Sequence, residues 1–195
     1  MTPAPFEVLM PDPMTRRSFH HTLAAGAVAA AAGAAMAADK EPPKPTEAPF
    51  ERDYPPPKFT PSFKKPLVNL TLARDFVIFA HSDLDMVKTL LAKEPALLNA
   101  TVDWGGGDYE SALGGAAHTG GRDIAEFLLS KGARLDIFCA AMLGQLDAVK
   151  ALLTAMPHLI DAKGPHGIPL VMHAKMGGDP AKPVHDYLQS LKPKP

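Results

Sequence analysis

The chain has 195 residues, a length that suits a single domain, and 46% of them are hydrophobic, which is enough for a core. Its formal net charge of −1 gives no basic face, so nucleic acid is not an expected partner. The one cysteine, Cys139, excludes an intramolecular disulfide.

In chain order, the first segment reads as an address. Arg16 and Arg17 precede an Ala-rich run from Leu23 to Ala35 that has signal-peptide length. The run is too short and too weakly apolar to span a bilayer stably. Ala35-Met36-Ala37 has the small-x-small form of a cleavage site, which places the cut after Ala37. Thr15-Arg16-Arg17-Ser18-Phe19 resembles a twin-arginine export signal, a receptor-read address, with Arg16, Arg17 and Phe19 as its key residues. Met14 stands directly before it as an alternative start. Residues 1–37 are thus expected to be a signal segment, and the mature protein to be periplasmic or secreted.

Residues 38–66 form a second segment with nine prolines. Proline fixes φ and lacks a backbone donor, so an extended, semi-rigid spacer is expected and not a helix or a central strand. Phe50, Tyr54, Phe59 and Phe63 punctuate it, to pack on the first repeat or to serve as a ligand strip for a partner, the third reading being a disordered segment.

The body, residues 67–195, repeats itself. Residues 82–91, 120–129 and 144–153 align without gaps, each with an Asp (Asp85, Asp123, Asp147) followed by apolar residues at helical spacing. An acid in the first turn complements the helix dipole. A divergent fourth copy runs from Gly177 to Leu188. A small-residue stretch precedes each copy, at 72–81, 112–119, 137–143 and 170–176. Small side chains let inner helices approach closely, while the outer helices carry Leu, Ile, Val and Phe.

Two strings make a family resemblance specific. Leu128-Leu129-Ser130-Lys131-Gly132-Ala133 resembles the close of an ankyrin repeat, and Gly167-Ile168-Pro169-Leu170-Val171-Met172-His173-Ala174 resembles an ankyrin opening. Ala141 to Ala174 spans 33 residues, the ankyrin period. The resemblance covers roughly residues 68–192. It implies an all-α, ankyrin-like solenoid of about four helix–turn–helix repeats behind the signal segment and the spacer.

The spacing departs from the family in an informative way. Asp123 to Asp147 is only 24 residues, which leaves almost no room for a β-finger between repeats two and three. Asp85 to Asp123 is 38 residues, so the preceding finger is enlarged, at 101–110. Another finger is expected at 163–168.

The resemblance implies binding of another protein, as a monomer or within a hetero-complex, without a cofactor. In the enlarged finger, Trp104 sits beside Gly105, Gly106 and Gly107, with Asp103, Asp108, Tyr109 and Glu110 around it. The functional reading is an aromatic anchor with a polar rim, and the competing one is a ring folded back onto the first repeat. His118, at an inner helix end, and His166, in the later finger, complete the expected partner-binding set. The alternative function is a small-molecule or metal-binding periplasmic receptor built on the Trp104 loop.

His158, His166, His173 and His185, with Asp161, Asp179 and Asp186 nearby, match no metal-site spacing, so no metal is expected. Cys139 lies among apolar residues and reads as a small core hydrophobe. No Gly-x-Ser-x-Gly, His-Glu-x-x-His or paired-cysteine pattern points to an enzyme.

Overall fold

The computed structural model describes residues 46–63 and 65–191. The expected signal residues Arg16, Arg17 and Phe19 lie outside them. The chain divides into two units, up to Lys58 and from Phe59 onward. In the first, residues 46–58 hold neither helix nor strand, as a proline-rich stretch should. Its Phe50 and Tyr54 rings lie 6.1 Å apart, with the Arg52 guanidinium 5.3 Å from the Tyr54 ring. All four spacer aromatics are exposed, and Phe59 and Phe63, within the second unit, do not pack on its helices.

The second unit is mostly helical, with one small sheet. Its helices are α1 Leu70–Phe79, α2 Leu84–Lys93, α3 Ala112–Thr119, α4 Arg122–Ser130, α5 Ile137–Met142, α6 Leu146–Ala155, α7 Leu170–Met176 and α8 Lys182–Leu191. Local chemistry starts several of them. Asn69, Asp83, Ser111 and Asp136 accept amide hydrogens at the starts of α1, α2, α3 and α5. Asp85, Asp123 and Asp147 all fall in the first turns of α2, α4 and α6. The Arg122 guanidinium donates to the carbonyls of Met142 and Leu143 at 3.2 Å each, so a side chain of α4 satisfies the free carbonyl end of α5.

Helix α3 packs on α1, α5 and α7, and α5 also packs on α7, while α2 meets α4 and α6 meets α8. Small residues on α3 and α5 permit this approach, whereas α1, expected to be small-residue as well, buries Phe76 and Val77, and α7 buries Leu170 and His173. In α5, Cys139 and Met142 join one core cluster with α1 to α4, while Ile137, Ala140 and Ala141 join another with α6 to α8. A six-residue helix is thereby buried on nearly every side. That burial pushes the Cys139 thiol up to about 12, leaving it as an inert core side chain.

The connections differ in a way that shapes the site. After α2 and α6 the chain makes matching 3-10 turns, Pro95–Asn99 and Pro157–Asp161, and then runs into a finger. The first finger pairs β1 Thr101–Asp103 with β2 Tyr109–Ser111 as an antiparallel hairpin, Val102 opposite Glu110. The second is narrower, closed by a single bridge between Lys163 and Pro169 around the turn Pro165–Gly167. After α4 there is no finger, because Asp136 caps α5 directly. Among the described residues no helix is long and apolar enough to cross a membrane.

Candidate functional site

The site is built where the first finger leans over the ends of α1 and α3. Asp103 accepts from the amides of Gly105 and Gly107 at 2.8 and 3.1 Å, closing the loop on itself. Gly105, Gly106 and Gly107 all have positive φ, so the loop needs residues without a Cβ. Strand alternation then sends Glu110 inward and leaves Tyr109 outside, 64% exposed.

Glu110 is 1% exposed, and a buried carboxylate needs partners. It has them. The Trp104 indole N–H donates to Oε2 at 2.7 Å, and His118 Nε2 lies 2.8 Å from Oε1. Burial pushes this carboxyl up, but hydrogen bonds from His118 and Trp104, with His81 nearby, bring it below the usual carboxylate range.

Three imidazoles surround Glu110 Oε1. His118 Nε2 is at 2.8 Å, His166 Nε2 at 3.5 Å and His81 Nε2 at 3.6 Å. His81 and His118 are themselves 3.1 Å apart at Nε2. His81 comes from the turn after α1, Glu110 from β2, His118 from the last turn of α3 and His166 from the second finger. Gly115 makes the gathering possible, since a Cβ there would sit 2.9 Å from His81 Cε1.

Asp108 ties the two fingers together. It accepts from the His166 backbone amide at 2.8 Å and from His166 Nδ1 at 2.7 Å. These bonds hold the Asp108 carboxyl below its ordinary value, the backbone amide first. Their cost is visible at His166, whose φ of 58° is the only left-handed backbone of a non-glycine among the described residues.

The residues singled out in the sequence therefore separate into groups. Trp104, Asp108, Glu110, His118 and His166 come together, Asp103 shapes the loop, and Tyr109 faces solvent. Trp104 takes the folded-back arrangement: its ring packs against the first core cluster and its N–H is engaged by Glu110. The C-terminal histidines do not converge. His158 is exposed, His185 contacts Gln189 and Asp186, and His173 is fully buried with Nδ1 donating to the Pro169 carbonyl. Only His166 of the four joins the cluster.

His81 was not singled out from the sequence. It stands at an inner helix end like His118, but one residue out of register in the aligned copies, so spacing alone did not pair them. His81, Glu110, His118 and His166 form the one group of three or more His, Cys, Asp or Glu side chains among the described residues whose ligand atoms all lie within 4.8 Å of one another.

Two cavities are found in the second unit. A polar slot of about 350 Å³ lies between the fingers, walled by Thr101, Asp108 and Tyr109 on one side and Lys163 to Pro165 on the other, with Asp136 and Phe138 of the fingerless pair at its base. An apolar groove of about 460 Å³ runs between α2 and α4, with Leu91, Leu98 and Phe127 in it and Lys88 and Lys131 at its rim. No family model, no curated protein and no solved structure matches the chain.

Proposed function

We propose that the chain is an exported, ankyrin-like repeat protein that binds another protein through the slot between its two fingers. The slot carries this reading. The pair α5–α6 brings no finger of its own, and the gap it leaves is a polar trough bounded by two fingers that Asp108 and His166 brace against each other. A braced surface loses little conformational entropy on binding, which favours recognition. The exposed Tyr109 ring at its edge is the residue type that anchors interfaces. The ankyrin likeness is supported by the succession of helix pairs, small residues on α3 and α5, and the matching turns after α2 and α6. The slot's polar lining, with backbone of both fingers along it, suits one extended segment of a partner.

The test is capture from a periplasmic extract with the tagged protein and with a Tyr109→Ala/Lys163→Glu variant. One dominant, stoichiometric protein retained at least tenfold better by the parent chain is expected. Equal capture by the variant, or no protein at all, would contradict the reading. The slot's volume also favours a second reading, a receptor for a small polar molecule, because it reaches the lower end of the ligand-pocket range. Native mass spectrometry of the purified protein separates the two, a retained small mass supporting the second.

A further inference from the structure

We propose that His81, His118 and His166, through their Nε2 atoms, and Glu110, through Oε1, form a closed binding site for one divalent transition-metal ion of the zinc class. This inference is independent of the protein-binding reading and departs from the absence of metal expected from histidine spacing.

His81 Nδ1 lies 2.9 Å from the Val77 carbonyl oxygen, which only accepts, so Nδ1 carries the hydrogen and Nε2 presents a lone pair. His166 Nδ1 donates to Asp108, so its Nε2 also presents a lone pair. Glu110 Oε2 is engaged by the Trp104 N–H, which leaves Oε1 as the oxygen turned to the histidines. His118 Nε2 faces both Glu110 Oε1 at 2.8 Å and His81 Nε2 at 3.1 Å, and a single N–H serves only one of them. Two imidazole lone pairs and a buried carboxylate oxygen thus converge on a place where one proton is on offer. A cation satisfies all of them at once, with His118 moving its hydrogen to Nδ1 and no net proton lost.

The dimensions agree. Zinc–nitrogen and zinc–oxygen bonds of about 2.0–2.2 Å in a tetrahedron put neighbouring ligand atoms about 3.3–3.6 Å apart. Four of the six separations among the ligand atoms are 2.8, 3.1, 3.5 and 3.6 Å and all six lie within 4.8 Å, so the His81, Glu110 and His118 atoms already stand near tetrahedral spacing and the exposed His166 ring has to swing inward to close the shell. Three of the four arms are also oriented from behind. Asp108 holds His166 in a carboxylate–histidine relay, the Val77 carbonyl holds His81, and Trp104 holds Glu110, which is the outer support that metal-ligating side chains use. Three imidazoles and one carboxylate suit zinc and its neighbours, whereas calcium and magnesium prefer oxygen sets.

Four protein ligands leave no open position, and none of the four lines either cavity described above. The site is therefore one of the structural kind, joining α1, the first finger, α3 and the second finger at one point.

The test is zinc titration by calorimetry of the full chain after dialysis against EDTA, with cobalt absorption as a second readout of tetrahedral geometry. The parent chain is expected to bind one ion with micromolar or tighter affinity. His81→Asn and His166→Asn should weaken binding at least 100-fold, and Asp108→Asn roughly 10–100-fold. Asn tolerates the left-handed backbone at position 166, so that variant keeps its fold, which circular dichroism checks. His158→Asn and His185→Asn should bind as the parent does. Millimolar binding, or binding that survives in the His81→Asn/His166→Asn double variant, would overturn the site.

Discussion

Trp104 shows how one residue's environment decides its role. In sequence, a lone tryptophan in a glycine loop reads equally as an anchor or as a ring folded back. Its indole N–H meets a carboxylate that is 1% exposed, and that bond makes it part of the support for Glu110. Trp104→Phe should therefore lower stability by about 1.5–3 kcal/mol, the range for a hydrogen bond to a charged group. A urea midpoint shifted at unchanged slope would report it, and an unshifted midpoint would restore the anchor reading. The chemistry of the loop was legible in advance, because Asp108, Glu110, His118 and His166 stand out by residue type. Their convergence was not. His81 and His166 are brought together by the stacking of α1 on α3 and by a strained turn in a distant finger, and neither leaves a spacing signal.

At the scale of the elements, the sequence was more informative. Asp85, Asp123 and Asp147 announced the first turns of α2, α4 and α6, and the 24-residue spacing announced the missing finger before α5. Boundaries were less legible: the stretch 72–81 overran α1, which ends at Phe79 because the chain must turn to bring Asp83 to the start of α2. Helix ends give a sharp comparison. Gly120 closes α3 with φ of 78°, and a Cβ there would lie 2.5 Å from the Met176 carbonyl oxygen. Gly132 follows α4 with φ of 93° and open space around it. Gly120→Ala should then cost at least about 2 kcal/mol, combining left-handed strain with a backbone clash, while Gly132→Ala should cost about 1 kcal/mol. Equal losses in parallel denaturation curves would mean that the close approach of α3 to the end of α7 is not what Gly120 serves.

For the whole molecule, the expected export route bears on the proposed recognition. A twin-arginine signal would carry a chain already folded, with its fingers braced before it leaves the cytoplasm. Replacing both Arg16 and Arg17 by Lys is expected to leave the protein in the cytoplasm, read by fractionation and immunoblot, and normal export would exclude that route. The slot between the fingers is proposed to receive the partner. Hydrogen exchange of the chain alone and in complex with the captured protein tests it most directly. Protection concentrated in residues 101–111 and 163–169 is predicted. Protection confined to the apolar groove of Leu91, Leu98 and Phe127, with the fingers exchanging as before, would contradict it.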